Sequence, residues 1–176
     1  MATIITHPII PVVAAYLISK DKIPPRLLFV SCIASIIPDL DVIGLGFGIP
    51  YGDQYGHRGF SHSIFFAGVT ALIAMMFGGY FKTSKNIIFS MIFIGAVSHG
   101  LLDAMTDGGR GVAFFWPFSA ERYFLPIQPI EVSPIGIRNF LTPRGATVLW
   151  SELWLIWLPA LAIIFWRIRK NKLQNK

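Results

Sequence analysis

The stretch His99-Gly-Leu-Leu-Asp103 sets an imidazole and a carboxylate four residues apart, on one face of a helix, where a single ion can take both. All four histidines of the chain, His7, His57, His62 and His99, stand in short polar islands cut into apolar sequence. Their neighbours are Asp39 and Asp41 in Pro38-Asp39-Leu40-Asp41, the serines of His57-Arg58-Gly59-Phe60-Ser61-His62-Ser63, and Asp103, Thr106 and Asp107. Each has an ordinary alternative. His99 and Asp103 can form a neutral hydrogen-bonded pair, His7 and Asp39 can cap turns, and His62 between two serines can open a helix. Taken together, they read as one site.

The chemistry of that site is limited by its donors. Cys32 is the only cysteine and lies in an apolar run, so any metal must be held by imidazole and carboxylate. Such a set suits a divalent ion, zinc first and manganese as the alternative. His7, Asp39, His62, His99 and Asp103 suffice for one ion, or for two if Asp103 bridges, and two ions about 3.5–4 Å apart clamp a phosphoryl group. Asp103 is then the central catalytic group. Asp41 and His57 serve either as acid and base or as partners that orient the ligands. Arg58 faces an anionic substrate, or equally a lipid headgroup.

The elements that must position these residues are apolar helices. Of 176 residues 54% are hydrophobic and only 14% charged, and the mean hydropathy is +0.61. This exceeds what a soluble core of such a chain requires, and points to an all-α integral membrane bundle. The net charge of +6 resides in loops and a tail rather than on an aromatic-studded face, so no nucleic acid is expected as a partner. Apolar segments run over about 4–19, 27–38, 60–81, 87–105 and 148–166, all within one membrane-embedded domain spanning 1–176. Pro38 should stop the second and Pro159 should kink the last. Between them, 106–147 carries five prolines and reads as a long irregular loop.

Basic clusters at Lys20, Lys22 and Arg26, at Lys82 and Lys85, and from Arg167 onward fall at alternate ends of these segments. That pattern predicts a multi-pass protein of the inner (plasma) membrane with its N-terminus outside, its C-terminus cytoplasmic and the long loop on the extracytoplasmic side. Helical rise then puts His7, Asp39 and His99 at a common depth, roughly 16–20 Å from the cytoplasmic edge. Ionisable groups at such a depth face a bundle interior and mark function.

The order of His7, Pro38-Asp39-Leu40-Asp41, the His57–Ser63 stretch, Ser98-His99-Gly100-Leu101-Leu102-Asp103 with Thr106 and Gly109, then Trp116-Pro117-Phe118 resembles the YdjM-like (DUF457) family of membrane-bound metal-dependent hydrolases. The resemblance covers nearly the whole chain. It implies a hydrolase with a resident divalent metal. The ligand order is also similar, more distantly, to zinc-dependent phospholipase C and P1 nuclease, although no histidine follows His99 to match their later ligands. The expected function is hydrolysis of a phosphoester in a lipid or lipid-linked substrate, with membrane lipid as substrate or surroundings. The competing expectation is a metal or proton carrier, which would need polar groups continuing to the cytoplasmic face; only scattered residues such as Ser31, Ser35 and Ser90 stand there.

Overall fold

The computed structural model describes residues 1–18 and 20–174, so Ser19 at the end of the first expected segment lies outside the described residues. Among those residues there is no strand, only two isolated bridges, Thr106 with Ile130 and Val112 with Tyr123. Helix α1 is Ile9–Ile18. Helix α2, Pro25–Ala34, opens on a proline whose missing N–H would be unpaired there anyway. It continues through a 3₁₀ stretch, Ile37–Val42, into α3, Ile43–Gly46, so that Pro25–Gly46 forms one rod. The sequence places a stop at Pro38. The chain passes it because Pro38 sits in the first turn of the tighter helix, where its lack of a donor costs nothing.

Ser63 accepts from the Phe66 amide at 3.0 Å and starts α4, Ile64–Met76, which is followed by the single turn α5, Gly78–Phe81. Helix α6, Lys85–Ala104, is 20 residues and so about 30 Å long, the thickness of a hydrocarbon core. After the irregular connection come α7, Ile137–Phe140, α8, Pro143–Glu152, a π-helical turn over Leu153–Trp157, and α9, Leu158–Gln174. The last rod thus begins before the expected position 148 and continues through the basic tail. The π turn lies just ahead of Pro159, which cannot donate to the Leu155 carbonyl, and absorbs the defect expected there as a kink.

Three helices are long and apolar enough to cross a membrane: Pro25–Gly46, Lys85–Ala104 and Pro143–Gln174. Ile9–Ile18 and Ile64–Met76 are apolar but shorter. The sequence treats all five as spans, but His7-Pro8 delays the start of α1, and the 60–81 run is helical only from Ile64 and is interrupted at Phe77. The distribution of polarity inverts that of a soluble protein. Phe29, Leu72, Met76 and Phe165 are exposed, whereas His7, Asp39, Arg58, His99, Asp103 and Glu152 are buried.

Helix α6 lies at the centre, with α1, α2 and α4 packed around it. Its Ile88, Met91 and Ile92 form one cluster with Leu27 and Ala34 of α2 and Ala71 of α4. A second cluster joins Ile9 and Val13 to Leu102, Ile130, Ile156 and Ala160. The α2–α6 contact depends on Gly95, where an added Cβ would stand 2.6 Å from the Ser31 carbonyl oxygen. Gly95→Val is therefore expected to destabilise the bundle by about 1–3 kcal/mol through overpacking, read as a lowered midpoint of thermal unfolding in detergent.

Candidate metal centre

Four ligand-type side chains converge where α6 ends. His99 and Asp103 extend from α6 one turn apart, Asp39 from the 3₁₀ stretch after α2, and His62 from a short 3₁₀ turn, Phe60–His62, leading into α4. Their donor atoms all lie within 4.8 Å of one another, and none of the four residues is more than 4% exposed. Gly100 permits the approach of the His62 turn, since a Cβ there would lie 2.8 Å from the His62 carbonyl oxygen.

The tautomers of the two imidazoles are set from behind. His99 Nδ1 donates to the Ser35 carbonyl at 2.8 Å. His62 Nδ1 faces Asp41 Oδ2 at 3.2 Å and Ser61 Oγ at 3.0 Å, and the Ser61 hydroxyl itself donates to Asp41 at 2.6 Å. With both Nδ1 atoms used as donors, both Nε2 atoms carry bare lone pairs. These face each other at 3.0 Å. Two acceptors this close in a buried site repel unless a cation or proton lies between them.

The remaining separations fit a single ion. Asp39 Oδ1 is 3.3 Å from His99 Nε2 and 3.9 Å from His62 Nε2, and Asp103 Oδ2 is 3.6 Å from His62 Nε2. Ligand atoms about 2.0–2.2 Å from zinc at tetrahedral angles stand roughly 3.3–3.6 Å apart. Both oxygens of Asp39 and Oδ2 of Asp103 are buried without a hydrogen-bond partner, which a native interior seldom tolerates. The donor set and its orphaned atoms fit a divalent metal.

His7 stands at the edge of this group. Its ring stacks on His99 at 3.8 Å between centroids, and Nε2 lies 3.8 Å from Asp103 Oδ1. Both ring nitrogens are buried and unpartnered. It is a neighbour of the four ligands rather than one of their tight set.

A second grouping, Asp41, His57 and His62, has a different character. Asp41 Oδ1 takes a 2.6 Å hydrogen bond from His57 Nδ1, and Oδ2 is held by Ser61 and by the Arg58 amide at 3.1 Å. Contacts of 2.6 Å are too short for two ligands of one ion, and the carboxylate has no idle oxygen. The grouping braces His62 and orients its ring. Asp41→Asn is accordingly expected to weaken metal binding 10–100-fold without removing a ligand, as measured by competition with a chromogenic chelator.

Arg58 is placed differently from its expected role. It is fully buried, in a left-handed backbone conformation with φ of +64°, and its Nε lies 3.1 Å from Asp103 Oδ2. Its other nitrogens donate to Thr106 Oγ1 and the Gly108 carbonyl, both at 2.9 Å. The guanidinium therefore turns inward onto the carboxylate instead of outward to a substrate. Nearby, Arg122 of the long connection clasps the carbonyls of His57 and Asp53 at 2.7 and 2.8 Å and fixes the loop that carries His57. Burial pushes the phenol of Tyr51 in that loop above its ordinary value, with the Arg58 cation opposing the shift.

Sequence reasoning missed Glu152. It is fully buried and accepts from the Thr3 amide, the Thr3 hydroxyl and, at 2.7 Å, the Thr6 hydroxyl, while Trp157 Nε1 donates to Thr6 at 2.9 Å. This clasp holds the segment whose Ala2 amide donates to Asp103 Oδ1 at 2.8 Å. The signal was an isolated acid inside the last apolar segment, hidden by the tryptophans around it. Trp150 and Trp154 are exposed, as interfacial anchors would be, whereas Trp157 is bound into the clasp.

The family model described as YdjM inner membrane protein matches residues 1–173. The chain is 40% identical over 173 residues to the inner membrane protein YbcI of Escherichia coli (strain K12), covering 96% of this chain and 100% of that protein. No solved structure matches, and the similarity in ligand order to zinc-dependent phospholipase C and P1 nuclease has no support among these relatives.

Proposed function

The chain belongs to the YdjM inner membrane protein family, and from that membership and the geometry of its centre we propose a membrane-bound, metal-dependent hydrolase that cleaves a phosphoester in a lipid or lipid-linked substrate. One divalent ion, zinc in preference to manganese, would be held by Asp39, His62, His99 and Asp103. The observation that supports this most strongly is the pair of Nε2 atoms facing each other at 3.0 Å with both Nδ1 atoms tied back. When bound, such an ion supplies Lewis acidity toward phosphoryl oxygens and water.

The protein's own groups supply the rest. Arg58 holds Asp103 in place and balances its charge, and Asp41 with His57 fixes the ring of His62. His7, buried, without a hydrogen-bond partner and beside Asp103, can hydrogen-bond a water or substrate oxygen at that edge of the centre. A lipid substrate is favoured by the outer surface near the centre. The long connection exposes Phe118, Ile127, Ile137 and Leu141. A cavity of about 360 Å³ opens between residues 1–5 and the 133–140 segment, lined by Ile4, Ile5, Val42, Ile137 and Phe140. Its wall includes Thr3, next to the Ala2 amide that touches Asp103.

The test is to incubate metal-loaded protein in detergent with a mixed lipid extract and follow products by mass spectrometry. Consumption of a phospholipid or lipid-linked phosphate supports the proposal; no consumption beyond an Asp103→Asn control, with metal or proton flux in vesicles, replaces it with the carrier reading. The proposed orientation has the N-terminus outside and the C-terminus cytoplasmic. A cysteine introduced by Asn171→Cys in spheroplasts is expected to resist an impermeant maleimide until the membrane is opened, and labelling from outside would reverse the topology.

A further inference from the structure

Helices α2 and α4 each pack on α6, and between them lies a groove of about 490 Å³. Its walls are Val30 and Ile33 of α2, Ile73 of α4 and Phe77 just beyond it, Ile92 of α6 contributes to its lining, and Tyr80 lies at one end. The lining offers almost no hydrogen bonding, because the Thr70 hydroxyl is already spent on the Phe66 carbonyl. The end marked by Tyr80 is strongly basic. The Arg26 guanidinium sits 5.1 Å from the centre of the Tyr80 ring, and Lys22, Lys82 and Lys85 are exposed around it, opposed by Asp21 alone among the neighbouring acids of these two loops. The loops are tied together where Thr83 Oγ1 donates to the Lys22 carbonyl at 3.2 Å.

We propose that this groove binds an anionic phospholipid, with one acyl chain between α2 and α4 and the headgroup phosphate among Arg26, Lys22, Lys82 and Lys85. Apolar walls alone would accept any lipid chain, so the choice of headgroup comes from the cations at the mouth. The groove runs from Val30 of α2 to Ile37 at the start of the 3₁₀ stretch and from Thr70 of α4 to Phe77 just past its end, about 10 Å along each rod, which suits the upper part of an acyl chain. The mouth lies beside Lys85, fourteen residues and about 21 Å along α6 from His99, so this lipid does not reach the metal centre. It instead wedges between the helix that leads to Asp39 and the helix that follows His62.

The test uses the full chain in detergent, with phosphatidylglycerol and phosphatidylcholine of identical acyl chains as probes. Native mass spectrometry is expected to show one phosphatidylglycerol retained at least several-fold more strongly than phosphatidylcholine, with a raised unfolding temperature for the former only. The double variant Arg26→Gln, Lys82→Gln should abolish that preference while leaving the lipid-free unfolding temperature close to wild type. Arg169→Gln, which alters an exposed cation elsewhere, should leave the preference intact. Ala74→Phe, filling the groove, should displace both lipids. Equal retention of the two lipids, a preference unaffected by the double variant, the same stabilisation by inorganic phosphate, or a dimer closed over the groove would each overturn the proposal.

Discussion

With Asp103 replaced by asparagine, turnover of the lipid substrate is expected to fall at least about a thousandfold, to the level of protein stripped of metal. The carboxylate has three duties that an amide cannot combine. Oδ1 accepts from Ala2, Oδ2 faces His62 Nε2 at 3.6 Å within the ligand group, and the same oxygen lies 3.1 Å from Arg58 Nε. An amide lacks the charge for the last two, and whichever way it turns, its NH₂ group meets a donor or the ion. The variant also leaves the buried Arg58 without its anion, a loss that typically costs about 3–5 kcal/mol. Reduced thermal stability should therefore accompany lost turnover. The double variant Asp103→Asn, Arg58→Met should recover part of the stability and none of the activity. Wild-type turnover in Asp103→Asn would exclude the centre as the site of reaction.

The second large effect is on metal content. Wild-type protein purified without chelator is expected to hold close to one equivalent of transition metal per chain, whereas His62→Ala and His99→Ala should each hold little or none after the same dialysis. Removing one ligand from a four-ligand set leaves an incomplete shell, and the loss should exceed the 10–100-fold penalty predicted for the bracing residue Asp41. His7→Ala separates binding from reaction: it lies outside the tight set, so metal content should stay near one while turnover falls. If His7→Ala loses the ion as fully as His99→Ala does, His7 is a ligand and its role as a hydrogen-bonding group beside Asp103 falls. If none of the three variants changes the metal content, the ion is bound elsewhere.

Much of the centre was legible because a membrane chain leaves few ionisable residues to choose from. His99 and Asp103 declared themselves by helical spacing, and Asp39 and His62 by interrupting apolar runs. What could not be read was direction. The spacing of His57, Arg58 and His62 does not say that Arg58 takes a left-handed backbone and points into the core, nor which of its two readings, acid–base group or orienting partner, Asp41 fulfils behind His62. Those outcomes depend on Thr106, Gly108 and Arg122 of the long connection, which is irregular and has no period to read. Helix ends are hard to read for a related reason. Pro38 reads as a stop and Pro143 as part of an irregular loop, yet each lies in a first helical turn where it does no harm. Glu152 has no local signature because its partners, Thr3 and Thr6, are almost the whole chain away.

That separation has a consequence for how the protein is made. Thr3 leaves the ribosome 149 residues before Glu152, an interval of roughly 7–30 s at about 5–20 residues per second. Throughout that time the segment bearing Ala2 and His7 has no clasp to hold it against Asp103. The side of the ligand pocket formed by residues 1–7 gains this support only after the last rod has been delivered to the bilayer, so an ion is expected to enter a finished bundle rather than nucleate one. Chains truncated before Glu152 should insert into the membrane and stay empty.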